Sequence, residues 1–383
     1  MPDDIKIEYA RAALVINTNH IADNIRVIKK LTNPAAMVMA VVKADGYGHG
    51  AVKVSQAALE AGADRLGVAT VEEGASLRAS GLEAPILVMN PTSEGEFDRL
   101  IHNDLASTVF SLRTCENLSK TAGRLGKSTE VHVKIDTGMN RIGYNYRDIN
   151  TIISEVRAIR ALPNIKVGGM YSHFAASDSD PAFVNEQFSR FMDVVHKLEA
   201  AGVHIPVKHI SNSGGVLYHP ECNLDMVRCG ILIYGLPPCS TPEGAAHLSN
   251  LGFKPALTLV GRVAHVKTVE KGESIGYSRN YFTQQDTEVV TVPIGYADGI
   301  SRRLSNKGKV LINGHTCDII GNVCMNQMMV DSTGSGAKFG DEVVFIGKSG
   351  NKHLSAEDVA ALQGSINYEV ATSLSLRFPT YYI

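Results

Sequence analysis

Ala36-Met37-Val38-Met39-Ala40-Val41-Val42-Lys43-Ala44-Asp45-Gly46-Tyr47-Gly48-His49-Gly50 is the stretch on which the fold turns. Its first seven residues are apolar without alternation, and glycines follow the run. That pattern marks a short strand buried on both faces, as in a parallel sheet covered by helices. Lys43 stands at the carboxyl end of the strand, where α/β folds place their chemistry. A lysine partly desolvated there gives up its proton and can form a Schiff base with a carbonyl cofactor. Position alone fits a lysine that merely snorkels from a strand end. The glycine- and tyrosine-rich segment behind it changes the balance.

Similar apolar runs recur at 65–69, 85–90, 106–110, 131–136, 167–174, 207–211 and 226–234. Alanine- and leucine-rich stretches with helical spacing lie between most of them, at 52–61, 72–80, 112–125, 147–161 and 181–201. Pro181 suits the first turn of its helix, and Gly62, Gly81 and Gly202 suit left-handed caps. Eight strands alternating with helices predict a (β/α)8, TIM-like barrel over residues 13–245. A doubly wound open sheet carries the same alternation.

The texture changes after Gly252. Residues 257–269 alternate apolar and polar side chains, and further runs follow at 288–294, 309–312, 316–320, 327–331 and 342–346. These predict a mostly β carboxyl-terminal domain over residues 246–383, with residues 1–12 as a segment that can pair with it. A single helix is expected at 355–362, opening on a capping-box-like Ser355 and Asp358. The proline-, serine- and glycine-rich stretch 237–250 reads as a linker.

Composition narrows the function. A chain of 383 residues is too long for one ordinary core, so two domains are the default. A net charge of -2 gives no electrostatic reason to expect nucleic acid or an anionic membrane as partner. The start, Met1-Pro2-Asp3-Asp4-Ile5-Lys6, lacks the basic-then-apolar pattern of a signal peptide. No apolar run is long enough to span a bilayer, so a cytoplasmic location is expected. Cys115, Cys222, Cys229, Cys239, Cys317 and Cys324 show no zinc spacing and read as free thiols; no metal site is expected.

Four further segments carry candidate chemistry. Lys134, Asp136 and Arg141 lie on or just after one strand, where an arginine can serve a carboxylate or a phenolate, or simply a structural ion pair. His173 ends the strand that begins Gly168-Gly169; it can stack on a flat heteroaromatic ring or be an ordinary core histidine. His209-Ile210-Ser211-Asn212-Ser213-Gly214-Gly215 offers hydroxyls, an amide and glycines able to surround a phosphate. Met226-Val227-Arg228-Cys229-Gly230-Ile231 is the eighth strand, and barrels often bind phosphate near strands seven and eight. An arginine such as Arg228, facing a pyridine nitrogen, leaves that nitrogen largely neutral and weakens the ring as an electron sink.

Lys43 through Gly50 resembles the pyridoxal-phosphate lysine motif of bacterial alanine racemases. The resemblance extends to Lys134-Ile135-Asp136-Thr137-Gly138-Met139-Asn140-Arg141, Ser172-His173-Phe174, Asn212-Ser213 and Val227 through Gly235. It continues in Gly276-Tyr277, Gly295-Tyr296-Ala297-Asp298-Gly299, Cys324-Met325 and Ile366-Asn367-Tyr368-Glu369. The resemblance implies pyridoxal 5'-phosphate bound to Lys43, which also acts as one base. Tyr277 would be the other base, supplied by the partner subunit of a homodimer. Arg141 would meet the cofactor's phenolic oxygen and the substrate carboxylate; Arg228 would meet the pyridine nitrogen, beside His173. Tyr47, Ser213, Gly230, Ile231 and Tyr368 would hold the phosphate, and Asn212 would also bind the cofactor. The Met325 N–H would bind the amino-acid substrate, and Tyr296 would narrow its entrance. Lys134 would be carbamylated, whereas its residues alone fit an unmodified lysine paired with Asp136 or another carboxylate.

Two positions depart from the family. Asn322 and Asn326 stand where arginine and aspartate commonly flank the Cys-Met pair. A serine or broad-specificity amino-acid racemase is therefore the alternative within the class. Outside it stand a non-catalytic pyridoxal-phosphate-binding protein, which should lack the second domain, and a decarboxylase or dehydratase, which usually places a carboxylate where this chain has Arg228.

Overall fold

The computed structural model describes residues 11–374 and 378–383. The chain divides into two compact units, Ile21–Ile233 and the segments up to His20 and from Tyr234 onward.

The first unit is a parallel barrel. Its strands are Met37–Val41, Arg65–Val68, Ile86–Pro91, Leu105–Val109, Thr129–Asp136, Ile165–Tyr171, Val207–His209 and Met226–Cys229. Each of the first six pairs in parallel with the next, and the eighth pairs with the first through Met226↔Met37 and Arg228↔Met39. Asp225 N donates to Lys208 O at 3.1 Å and Arg228 N to Ser211 O at 3.0 Å, which joins the seventh and eighth strands. Such a ring forms because these strands are apolar on both faces: Val38, Leu66, Val88, Val131 and Val227 are all almost fully buried. Helices follow the strands as the spacing predicts, including Ala51–Glu60, Val71–Ala79, Leu112–Arg124, Ile149–Ala161 and Pro181–Ala200. Asp180 caps the last of these, accepting from Phe183 N at 3.0 Å, with Pro181 in its first turn.

The second unit is mostly antiparallel. Its main sheet runs His265–Val269, Thr287–Val292, Met328–Asp331, His315–Ile320, Lys309–Ile312, Glu342–Ser349, Leu257–Arg262, Ala12–Ile16 and Thr380–Tyr382. Only the last pair is parallel. The helix Ala356–Gln363 opens on Ser355 and Asp358, which bond reciprocally.

Several details differ from the sequence reading, among them a second helix after the single one expected, Asn367–Ser373. The barrel does not begin at residue 13: Ala12–Ile16 pairs antiparallel with Leu257–Arg262, and its five buried residues serve the β sheet. Residues 1–10 of the expected pairing segment lie outside the described residues. The stretch 237–250 is not a plain linker. Thr241 caps a helix, Pro242–Asn250, by accepting from Gly244 N at 3.1 Å; Thr-Pro there is a cap and a first turn rather than a loop. The run 257–269 is two strands, because Val263 N bonds Asp341 O while Ala264 N bonds Thr291 O, so the chain changes partners.

Gly235 carries a test of the second unit. Its φ is +73°, and a Cβ there would lie 2.0 Å from Lys254 O. Gly235→Ala should cost more than about 2 kcal/mol, read as a lower urea midpoint at unchanged slope. An unchanged midpoint would contradict the packing described.

Candidate active site

The barrel unit gathers its chemistry at the carboxyl ends of its strands. Lys43 follows the first strand and opens a left-handed turn: Ala44, Asp45, Gly46 and Tyr47 have φ of 51°, 50°, 60° and 52°. Left-handed backbone costs an L-residue about 1–2 kcal/mol, so the turn persists only because it is held. Gly46 N donates to Val42 O at 2.8 Å and Gly48 N to Ala44 O at 3.0 Å. Asp45 accepts from Ala51 N at 2.8 Å, and Glu73 accepts from Ala44 N at 2.7 Å. The glycines of the motif signalled a turn, but nothing in the sequence signalled that Ala44 and Asp45 share its handedness. Glu73 likewise escaped notice. Its carboxylate completes a capping box with Thr70 and braces the lysine turn with its other oxygen.

Burial, and then the charge of Arg141, lower the Lys43 pKa, with Glu73 opposing. A neutral amine can act as a nucleophile or a base, so this shift favours the reactive form. Tyr47 is carried by the same turn to the eighth strand: a Cβ on Gly230 would lie 2.5 Å from its hydroxyl. Burial raises its pKa to about 12, so it stays a neutral phenol.

Arg228 is the centre of the site and is almost wholly buried. Its Nη1 donates to His209 Nδ1 at 2.7 Å. Its Nη2 donates to Ser172 O at 2.7 Å, to Ile210 O at 3.0 Å and to His173 Nδ1 at 3.2 Å. Its Nε has no partner among the described residues. A buried guanidinium N–H left over in this way suits one more acceptor, as a pyridine nitrogen would be. Burial lowers the pKa only to about 10, so the group stays charged at neutrality. Arg228, Arg141, Lys134 and Lys43 all bear on His173, whose pKa burial already holds far down; that imidazole is neutral. Arg141 itself is exposed, in the loop that follows the strand Thr129–Asp136.

Lys134 is not paired with Asp136. The Asp136 carboxylate accepts from Gly138 N and Asn140 N at 2.9 and 3.0 Å. The lysine is buried, donates to Ile135 O at 2.8 Å and lies 5.2 Å above the Tyr171 ring. Burial, then Arg228, lowers its pKa to about 7. Tyr171 also underlies Arg228 at 4.9 Å, a role the sequence hid inside an apolar strand.

At the seventh strand, Asn212 is a helix cap: its oxygen accepts from Gly215 N at 3.0 Å and from Ser177 Oγ at 2.8 Å. Ser213 Oγ accepts from Gly230 N at 3.1 Å and Leu232 N at 3.4 Å, which ties the seventh and eighth strand ends together. Tyr47, Ser213, Gly230 and Ile231 are thus brought to one place.

The second unit has its own cluster. Tyr277, Tyr296, Arg302, Asn322, Cys324, Met325 and Asn326 line an open cavity of about 490 Å³. Tyr277 is 73% exposed, the second largest exposure among the big apolar side chains of the described residues. Its loop is clamped by Asn322, which donates to Tyr277 O at 2.8 Å and accepts from Asn280 Nδ2 at 2.8 Å. One of the two departures from the family pattern therefore supports the residue singled out as a base. Ala297 N binds Met325 O at 2.9 Å, while the Met325 N–H takes no partner among the described residues. Tyr368 is half-buried on the helix Asn367–Ser373.

A closed parallel barrel with a desolvated strand-end lysine, an oriented arginine and a β domain presenting an exposed tyrosine define a two-domain barrel racemase. Residues 16–238 match the family model described as alanine racemase, N-terminal domain, and residues 256–382 the one described as alanine racemase, C-terminal domain. A relative from Methanococcus maripaludis, named alanine racemase, is 41% identical over 370 residues, 96% of this chain and 97% of its own. The crystal structure of alanine racemase from D-cycloserine-producing Streptomyces lavendulae gives a TM-score of 0.92 at 34% identity, covering 98% of each chain. That of alanine racemase from Bartonella henselae, with covalently bound pyridoxal phosphate, gives 0.87 at 28% identity, covering 98% of this chain and 100% of that one. The chain belongs to the alanine racemase family.

Proposed function

We propose that this chain interconverts L- and D-alanine by a two-base mechanism, with pyridoxal phosphate held on Lys43. The observation that carries the reading is Arg228, whose terminal nitrogens are held by protein acceptors and whose buried Nε is left over. That pattern fits the cofactor's ring nitrogen. Tyr47, Ser213, Gly230, Ile231 and Tyr368 are assigned to the phosphate, Asn212 to the loop that carries Ser213, and His173 to the flank of the ring. When bound, the cofactor condenses with amino groups and delocalises the electrons left by a departing Cα proton.

The protein supplies position and proton transfer. Lys43 Nζ, shifted toward its neutral form, takes or returns a proton on one face of the substrate. Tyr277 Oη does the same on the other face. Opposite faces are what inversion at Cα requires. Arg141 and the Met325 N–H are assigned to the substrate carboxylate, and Tyr296 to the limit on side-chain size. Because Arg228 keeps its proton, it would donate to the ring nitrogen without protonating it, and side transamination would be restrained. We further assign a homodimer, with Tyr277 entering the partner's site, and a cytoplasmic location, which suits six free cysteines. Among the described residues no helix is long and apolar enough to cross a membrane. Borohydride treatment of the loaded protein should leave the pyridoxyl group on the Lys43 peptide; recovery on another lysine would refute the assignment.

We assign a carbamate to Lys134. Carbon dioxide adds to a neutral amine, and with a pKa of about 7 that form gains from neutrality upward. The anion would sit among Arg228 and Arg141, which the ammonium opposes. Activity should therefore rise with bicarbonate above about pH 7 and lose that response below it. Lys134→Ala should lower kcat by roughly tenfold to a hundredfold, with partial recovery in acetate. A response to neither bicarbonate nor acetate would remove the carbamate from the account.

A further inference from the structure

The bonds beyond Arg228 run in one direction only. An arginine has no acceptor, so the His209 Nδ1 that lies 2.7 Å from Nη1 carries no proton. The His209 proton is therefore on Nε2, 2.9 Å from His132 Nδ1, and is donated there. His132 must then hold its own proton on Nε2, 3.1 Å from Glu130 Oε1. Arg65 Nη1 meets the same oxygen at 2.7 Å, and Lys166 Nζ lies 3.4 Å from the other. A second proton on either imidazole would set two donors against each other.

The barrel is built around this row. Glu130, His132 and Lys134 alternate along one strand, so all three side chains share a face. The neighbouring strand makes room with Gly168 and Gly169. A Cβ on Gly168 would lie 2.3 Å from Glu130 Cδ, and one on Gly169 2.4 Å from His132 Nδ1. Tyr171, on the same strand, stacks on His209 at 4.8 Å with the rings 8° apart. Both histidines are fully buried. Burial lowers the pKa of each, while the bond from His132, with Arg65, holds Glu130 well below the usual carboxylate range. Neutral imidazoles ending on a charged carboxylate agree with the row of bonds.

We propose that Glu130, His132 and His209 form a one-way hydrogen-bond relay that fixes Arg228 as a donor to the cofactor's ring nitrogen, which makes Glu130 a positioning residue for an arginine it does not touch. The proposal rests on the assignment of Arg228 given above.

Full-length protein labelled with 15N-histidine tests it, with the His132 and His209 signals assigned by substitution. Around neutral pH, with and without pyridoxal phosphate, both rings should be neutral and protonated on Nε2. A cationic ring, or a proton on Nδ1 of either, overturns the relay. His132→Leu, which leaves the Glu130–Arg65 pair in place, and Glu130→Leu should each lower kcat about tenfold and weaken pyridoxal-phosphate binding, with KM within about twofold. Glu130→Gln keeps an acceptor and should recover most of both. A folded His132→Leu protein with unchanged kcat and cofactor affinity would also overturn the relay. The ring protonation states need no turnover. Wild-type protein with the expected tautomers but no racemisation would refute the functional reading and leave the relay standing; racemisation with the wrong tautomers would do the reverse.

Discussion

Lys43→Ala should lower racemisation by about 10⁴-fold or more, the upper range for loss of a general base, because the same nitrogen is also the one proposed to hold the cofactor. The protein should still fold. The mutation removes a half-buried side chain at a strand end and leaves the left-handed turn braced by Val42 O, Asp45 and Glu73. Far-ultraviolet dichroism should match wild type, while the cofactor should wash out on dialysis. A Lys43→Ala protein that keeps its cofactor through dialysis and racemises at wild-type rate would remove the lysine from both roles.

Tyr277→Phe should be the second large loss, about 10²- to 10⁴-fold in kcat, with cofactor binding unchanged. Tyr277 is exposed on a loop held by its own backbone through Asn322, so the hydroxyl can be removed without disturbing a core. The loss should fall on proton removal from the L-enantiomer more than from the D-enantiomer, as solvent deuterium uptake at Cα would report. Mixing the Tyr277→Phe and Lys43→Ala chains should restore activity, to roughly a quarter of wild type if subunits exchange statistically, since half the sites in each hybrid dimer are intact. With hybrids confirmed, no recovery would mean that both bases come from one chain.

The barrel was legible because most of its strands are apolar on both faces, and that pattern needs no partner to be recognised. Segments whose partners are remote were harder. Ala12–Ile16 is as apolar as a barrel strand, yet it pairs with Leu257–Arg262, some 245 residues later, which local pattern does not reveal. At the site, Lys43 stood out because a charged group at the end of an apolar run is conspicuous, Arg228 because it interrupts one, and Tyr47 and Ser213 because they lie in glycine-rich segments just beyond strands. His132 and Glu130 did not, since a strand that reads polar and apolar by turns looks the same whether its polar side chains meet solvent or line a barrel. The pair Gly168-Gly169 was the available clue. The room that these glycines leave is filled by Glu130 and His132.

The central claim is tested most directly by incubating the purified protein with pyridoxal phosphate and L-alanine in deuterium oxide. The account predicts D-alanine to an equimolar mixture, with solvent deuterium at Cα of the product and little pyruvate. L-alanine recovered with neither inversion nor deuterium at Cα, from folded protein carrying cofactor on Lys43, would contradict it.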